Sequence, residues 1–201
     1  LQQYLPNLDR YIVLSDYDKR DYMEKLGIDC EVKINPRSFV SEKKCDVKSK
    51  RFLMATRFVY AKGLDLMMES FEEFCKEDSE WELDIIGDGD LFDQIRADAK
   101  KRHLEKRVHF VGYTNEPEKY YLNSSVFLLP SRWEGWPMVI MEAFEFGLPV
   151  IAYHMGAMDL IIDDGKTGFL PEAFDPHKFA QAMLKLAHDE ELRARMSANA
   201  I

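Results

Sequence analysis

No unbroken apolar run in this 201-residue sequence exceeds four residues. A membrane-spanning helix takes about 20, so none is expected here. Basic residues are in the minority: 27 Lys and Arg stand against 36 Asp and Glu, a net charge of -9. Nucleic-acid affinity comes mainly from neutralising phosphates, so this balance argues against a dedicated nucleic-acid binder. It does not exclude a local basic pocket. Cysteine is scarce: Cys30, Cys45 and Cys75 form no C-x-x-C pair and have no histidine close by. That pattern reads as reduced cytosolic thiols, neither a disulfide frame nor a zinc site. Signal peptide, internal repeat and low-complexity tract are all absent from the pattern. The sequence opens on Leu1 and stops at Ile201 within a helical pattern, which reads as a piece of a longer protein.

What is present is alternation. Short apolar, β-branched runs fall at Tyr11–Ser15, Glu31–Ile34, Arg51–Thr56, Trp81–Gly87, Arg107–Val111, Ser125–Pro130 and Leu148–Tyr153. Helical periods lie between them. Leu64, Met67, Met68, Phe71 and Phe74 recur at helical spacing, as do Leu91, Ile95 and Ala99. Asp175-Pro176 is an N-cap followed by proline, ahead of the stripe Phe179, Met183, Leu186 and Ala187. This alternation predicts an α/β fold of βαβ units around a parallel sheet. One polar, charged stretch, Ser38–Lys50 after Asn35-Pro36, interrupts it. It separates a short β-α-β piece from a longer alternating unit.

Ligands of an open parallel sheet bind at the carboxyl ends of its strands. Glycines, charges and aromatics gather after those strands: Arg57 to Gly63, Gly87-Asp88-Gly89, Gly112-Tyr113-Thr114, Ser131 to Pro137, and His154 to Ala157. Lys62 sits just before a helix, where a cation opposes the macrodipole by about 0.3–1 kcal/mol. A bound anion would reverse that sign, and Arg57 on the same turn could add a forked contact. Two solvated surface cations are the plain alternative. Arg132 is a third cation at this edge.

Pro137 opens a helix whose residues Met138 to Phe146 are largely apolar, with Gly147 as its stop. Its first free amides, those of Met138 and Val139, are a ready anion site. Glu142 on this helix needs donors, which two adjacent ribose hydroxyls would supply. Glu145 reads as a carboxylate on a solvent strip. Glu134 is at least a helix-start carboxylate favoured by the dipole. Gly87-Asp88-Gly89 lacks the third glycine of a dinucleotide fingerprint and supports a nicotinamide cofactor only weakly. Five histidines show no metal spacing, and His109 reads as a core or rim residue. Ser131 lacks the G-x-S-x-G elbow of a nucleophile.

Six motifs occur in order: Arg57-x-x-x-x-Lys62-Gly63; Gly87-Asp88-Gly89; Val111-Gly112-Tyr113; Pro130-Ser131-x-x-Glu134-Gly135-x-Pro137-x-x-x-x-Glu142-Ala143; Gly147-x-Pro149-Val150-Ile151-Ala152; and Asp164-Gly165-x-x-Gly168-Phe169-Leu170. This series resembles the C-terminal, nucleotide-sugar-binding domain of the retaining family-4 (group 1) glycosyltransferases with the GT-B fold. The resemblance covers about residues 50–200. It implies a Rossmann-like domain over 51–201, a linker loop over 39–50, and a remnant of the N-terminal domain and hinge over 1–38.

It also implies roles. Arg57 and Lys62 match the pair that holds the donor diphosphate. Glu134 lies near the hydroxyls of the transferred sugar, and Glu142 binds the ribose. Gly135 and the amides of Met138 and Val139 approach phosphates and sugar. Val111 and Tyr113 frame the loop whose backbone meets the base, and Gly87 is a further donor-binding residue. The implied donor is a nucleoside-diphosphate sugar, with no metal and no further cofactor. The acceptor, a sugar, glycan or lipid-linked group, would bind through the absent domain, so this piece alone would not turn over. The implied place is the cytoplasm, with peripheral membrane contact by the whole protein left open. Two other classes stand beside this one: a non-catalytic sugar-nucleotide-binding or flavodoxin-like module, and a nicotinamide-dependent dehydrogenase.

Overall fold

β-branched and aromatic runs too short for helices become strands here, and the amphipathic stretches between them become helices. The computed structural model describes residues 8–33, 35 and 40–200. Two units divide it, Leu1–Arg37 and Ser38–Ile201.

In the first unit, β1 (Ile12–Val13) and β2 (Glu31–Val32) pair in parallel around α1 (Asp16–Leu26). Both strands are shorter than the sequence pattern suggested. Ser15 leaves β1 because its hydroxyl caps α1, accepting from the Asp18 amide at 3.1 Å. Ile34 and Pro36 lie outside the described residues.

The second unit is built on β3 (Arg51–Ala55), β4 (Glu82–Ile86), β5 (Val108–Gly112), β6 (Val126–Leu129), β7 (Val150–Ala152) and β8 (Gly168–Phe169). They form one six-stranded, all-parallel sheet in the order β5-β4-β3-β6-β7-β8. The order reverses between β3 and β6. That reversal opens a crevice at the carboxyl edge, the usual ligand position in doubly wound sheets.

Helices cover both faces, which is why the strands read as continuous apolar runs rather than alternating ones. On one face Phe52, Met54, Leu83, Ile85 and Leu128 pack against α2 (Leu64–Phe74) and α6 (Pro176–His188). On the other, Leu53, Phe127, Leu129 and Val150 pack against α5 (Met138–Glu145) and Tyr121 of α4 (Glu118–Asn123). The remaining helices are α3 (Phe92–Lys101) and α7 (Glu190–Asn199). Asp175 caps α6 through the Lys178 amide at 3.0 Å. Asp189 ends that helix and caps α7 through the Leu192 amide at 2.8 Å. Among the described residues no helix is long and apolar enough to cross a membrane.

Residues 40–50 do not hang free. The Cys45 amide donates to the Phe146 carbonyl at 2.8 Å and the Asp46 amide to the Leu122 carbonyl at 3.0 Å. Glu145, expected on a solvent strip, instead accepts the Ser41 amide at 2.9 Å. Its carbonyl accepts the Lys44 ammonium at 2.7 Å. The polar stretch needs partners for its backbone, and the C-terminal end of α5 supplies them. Arg193 does related work from α7. Its buried guanidinium donates to the carbonyls of Leu186, Ala187 and Val47 and lies 5.0 Å from the Trp81 ring centroid.

Candidate functional site

Two glycines bring the loops of the carboxyl edge together. Gly63, between a 3₁₀ turn (Tyr60–Lys62) and α2, has φ +63°. A Cβ there would sit 2.0 Å from the Pro130 carbonyl oxygen. The β3–α2 loop therefore presses on the end of β6. Gly87 has φ +124°, and a Cβ there would meet the Thr56 carbonyl oxygen at 1.8 Å. Close backbone approach accounts for Gly87 without any dinucleotide, so the dehydrogenase alternative loses the one feature that favoured it.

A cleft of about 320 Å³ opens at this edge, lined among others by Thr56, Arg57, Lys62, Gly87, Tyr113 and Val139. Five of the anticipated site residues thus meet around one space. Glu134 joins them through Lys62, whose ammonium lies 2.7 Å from Glu134 Oε1. Met138 and Glu142 share α5 with Val139, Val111 lies in β5 two residues before Tyr113, and Gly135 lies in the loop before α5, none of them lining that space. The Arg57 side chain is exposed and has no partner among the described residues.

The Lys62–Glu134 pair is largely removed from water, with the two side chains 19% and 8% exposed. The Ser131 hydroxyl donates to the same Oε1 at 2.6 Å. Desolvating a lysine and a glutamate is costly, and a short, hydrogen-bonded pairing is what makes it tolerable. This bears on one of the two readings of Lys62. Lys62 is not a solvated surface cation, and its counter-ion is a carboxylate from 72 residues further along the chain.

Glu142 is also held. The Tyr121 hydroxyl donates to Glu142 Oε2 at 2.9 Å. Burial, together with the neighbouring carboxylate, pushes the Tyr121 hydroxyl well above the usual tyrosine range. It therefore stays a donor. The Tyr121 ring is fixed by stacking on Phe146 at 5.0 Å and Phe127 at 5.9 Å between centroids. Sequence reasoning missed Tyr121, because α4 is one short turn with little periodicity. Glu142 Oε1 has no protein partner among the described residues.

Pro137 precedes α5 in an extended conformation and gives no side-chain cap. The first amides of α5, those of Met138 and Val139, lack intrahelical acceptors, as at any helix start, and Pro137 supplies no side-chain acceptor in their place.

Arg132 turns away from the role of a third phosphate cation. Its guanidinium forks onto Asp65 at 2.7 and 2.6 Å. That contact holds the Asp65 carboxyl below its usual range. His109 is a rim residue, with Nε2 2.8 Å from Glu82 Oε2. Among the described residues no three His, Cys, Asp or Glu side chains gather as a metal site.

Comparisons with known proteins agree with this architecture. Residues 38–201 match the family described as "Glycosyl transferases group 1". An uncharacterized glycosyltransferase of Haemophilus influenzae is 28% identical over 94% of this chain and 54% of its own length. A poly(glycerol-phosphate) alpha-glucosyltransferase of Bacillus subtilis is 30% identical over 74% of this chain and 22% of its own. The chain thus spans about half, or less, of these relatives. A crystal structure of a mutant TarM from S. aureus, in complex with fondaparinux, alpha-GlcNAc-glycerol and UDP, superposes with a TM-score of 0.88. That likeness covers 99% of this chain and 41% of that one at 24% identity, and speaks for the fold.

Proposed function

The chain belongs to the group 1 glycosyl transferases, and we propose that its larger unit is the donor-binding half of a retaining enzyme that uses a nucleoside-diphosphate sugar. The observation that carries this reading is the cleft at the β3/β6 switch point, with Arg57 and Lys62 on one loop and the Lys62–Glu134 contact across it.

Breaking a glycosidic bond to a nucleoside diphosphate builds negative charge on the leaving oxygens. In this reading Arg57, Lys62 and the amides of Met138 and Val139 meet that charge, fixed in place before the reaction begins. Lys62 exchanges Glu134 for the diphosphate. Glu134, still held by the Ser131 hydroxyl, turns its free oxygen to the hydroxyls of the transferred sugar. Gly135, lacking a side chain, lets the sugar and phosphates approach the backbone. Glu142 Oε1 takes the ribose while Tyr121 holds Oε2. The loop from Val111 to Tyr113 receives the base, with Gly87 beside it. The acceptor's proton passes to a diphosphate oxygen, and the anomeric configuration is retained.

The acceptor side belongs to chain outside these 201 residues, including any contact with a membrane. This piece therefore binds donor and does not turn over by itself. The Bacillus subtilis relative is named for glucosylating a glycerol-phosphate polymer, which supports a place in polysaccharide or glycoconjugate synthesis. A thermal-shift panel of UDP-, GDP- and ADP-sugars tests the reading. Stabilisation grows as RT ln(1 + [L]/Kd), so the preferred nucleotide ranks first. No stabilisation by any of them would contradict it.

A further inference from the structure

Tyr121 is a buried aromatic that carries a hydroxyl its packing does not need. Its ring lies nearly parallel to those of Phe127 and Phe146, with interplanar angles of 10° and 16°. A phenylalanine would make the same stack. A buried hydroxyl is costly unless it is bonded, and its one partner among the described residues is Glu142 Oε2. The hydroxyl therefore serves Glu142.

The pair stands one helical turn behind the wall of the cleft. Pro117 and Val139 both line that space. Tyr121 comes four residues after Pro117, the cap of α4, and Glu142 three after Val139 on α5. Residues so spaced share a helix face, and helical side chains tilt toward the N-terminus. Glu142 thus reaches back toward the turn that faces the cleft. With Oε2 taken by Tyr121, Oε1 is the oxygen left for a ligand.

Both members are held from behind. The Asp46 amide donates at 3.0 Å to the carbonyl of Leu122, the neighbour of Tyr121. The Cys45 amide donates at 2.8 Å to the carbonyl of Phe146, just past α5. A free glutamate has several rotatable bonds to freeze when a ligand arrives. In this protein the bond to Tyr121 restricts them beforehand, so less affinity is lost in ordering them.

We propose that Tyr121 is a positioning residue that aims Glu142 Oε1 at a ribose hydroxyl and so sets a preference for ribose over deoxyribose. This rests on the ribose role proposed for Glu142 above. Calorimetry on the full chain compares whichever of UDP, GDP or ADP binds best with its 2′-deoxy and 3′-deoxy forms, in the wild type, Tyr121→Phe and Glu142→Gln. Tyr121→Phe keeps the stacked ring and removes only the hydroxyl. It should weaken the ribonucleotide about 3- to 10-fold, the cost of freezing one more side chain on binding. At least one deoxy form should bind as before, so the ribose preference shrinks. Equal losses of ribo and deoxy forms in Tyr121→Phe would overturn the proposal, by making the hydroxyl part of the scaffold alone. A preference that shrinks in Glu142→Gln but persists in Tyr121→Phe would overturn the positioning role and leave the ribose reading standing. A preference that survives in Glu142→Gln would fail the ribose reading itself, and this inference with it.

Discussion

Replacing Glu134 by Gln removes a negative charge from the place where the diphosphate's charge is proposed to arrive. Glu134 holds Lys62 at 2.7 Å, with both side chains mostly out of water. A hydrogen bond to a charged group is worth about 1.5–3 kcal/mol, roughly twice a neutral one. The amide oxygen of Gln still accepts from Lys62, so about half of that hold, close to 1 kcal/mol, is lost. Two consequences follow. The unliganded protein becomes less stable by about 1 kcal/mol, which for a unit of this size lowers Tm by roughly 2–4 °C. Nucleoside diphosphate, no longer competing with a carboxylate for Lys62, binds about fivefold tighter. Calorimetry and thermal melting, each with and without the diphosphate, measure both effects. Tighter binding on a less stable scaffold is the expected signature. Weaker diphosphate binding in Glu134→Gln would refute the reasoning, since it would mean that Glu134 assists the diphosphate rather than standing in for it.

Other expectations concern neighbouring groups. Glu142→Gln should weaken ribonucleotides much more than 2′- or 3′-deoxy analogues, and calorimetry giving equal losses would remove the ribose assignment. Arg193→Ala strips three carbonyls, two of them buried, of their donor, so urea unfolding should show a loss of about 2–4 kcal/mol. Asp65 is held below its ordinary pKa by Arg132. The stability it adds is present above about pH 4 and lost as pH falls through its lower folded value. Asp65→Asn should therefore flatten the acid limb of a stability–pH curve, and an unchanged limb would count against the Arg132 clamp.

Local pattern made most of the sheet legible. Strands β3, β4, β6 and β7 fall inside the apolar runs, and β5 overruns its own by one residue, Gly112, because a sheet covered on both faces favours apolar residues along its strands. β8 escaped because Gly168–Phe169 is two residues long and its pairing with β7 depends on a distant strand. The loops carrying the candidate site were legible as positions, since ligands gather at strand carboxyl ends. The pairings within them were not. Lys62 meets Glu134 across 72 residues, Glu145 meets Ser41 across 104, and Arg132 meets Asp65 across 67. Each is a charge that reads as solvated on its own element. Its partner is fixed only when sheet order brings two loops together. Tyr121 was hidden for the same reason: its donor role exists only because α4 and α5 flank one sheet face.

The central claim is that Arg57 and Lys62 hold a diphosphate. Its most direct test compares a nucleoside with its diphosphate, by calorimetry, in the wild-type protein and in Arg57→Ala and Lys62→Ala. The account predicts that the diphosphate binds far more tightly than the nucleoside. Each variant should reduce that increment roughly 10- to 100-fold and leave nucleoside affinity alone. An increment that survives intact in both variants would contradict the account.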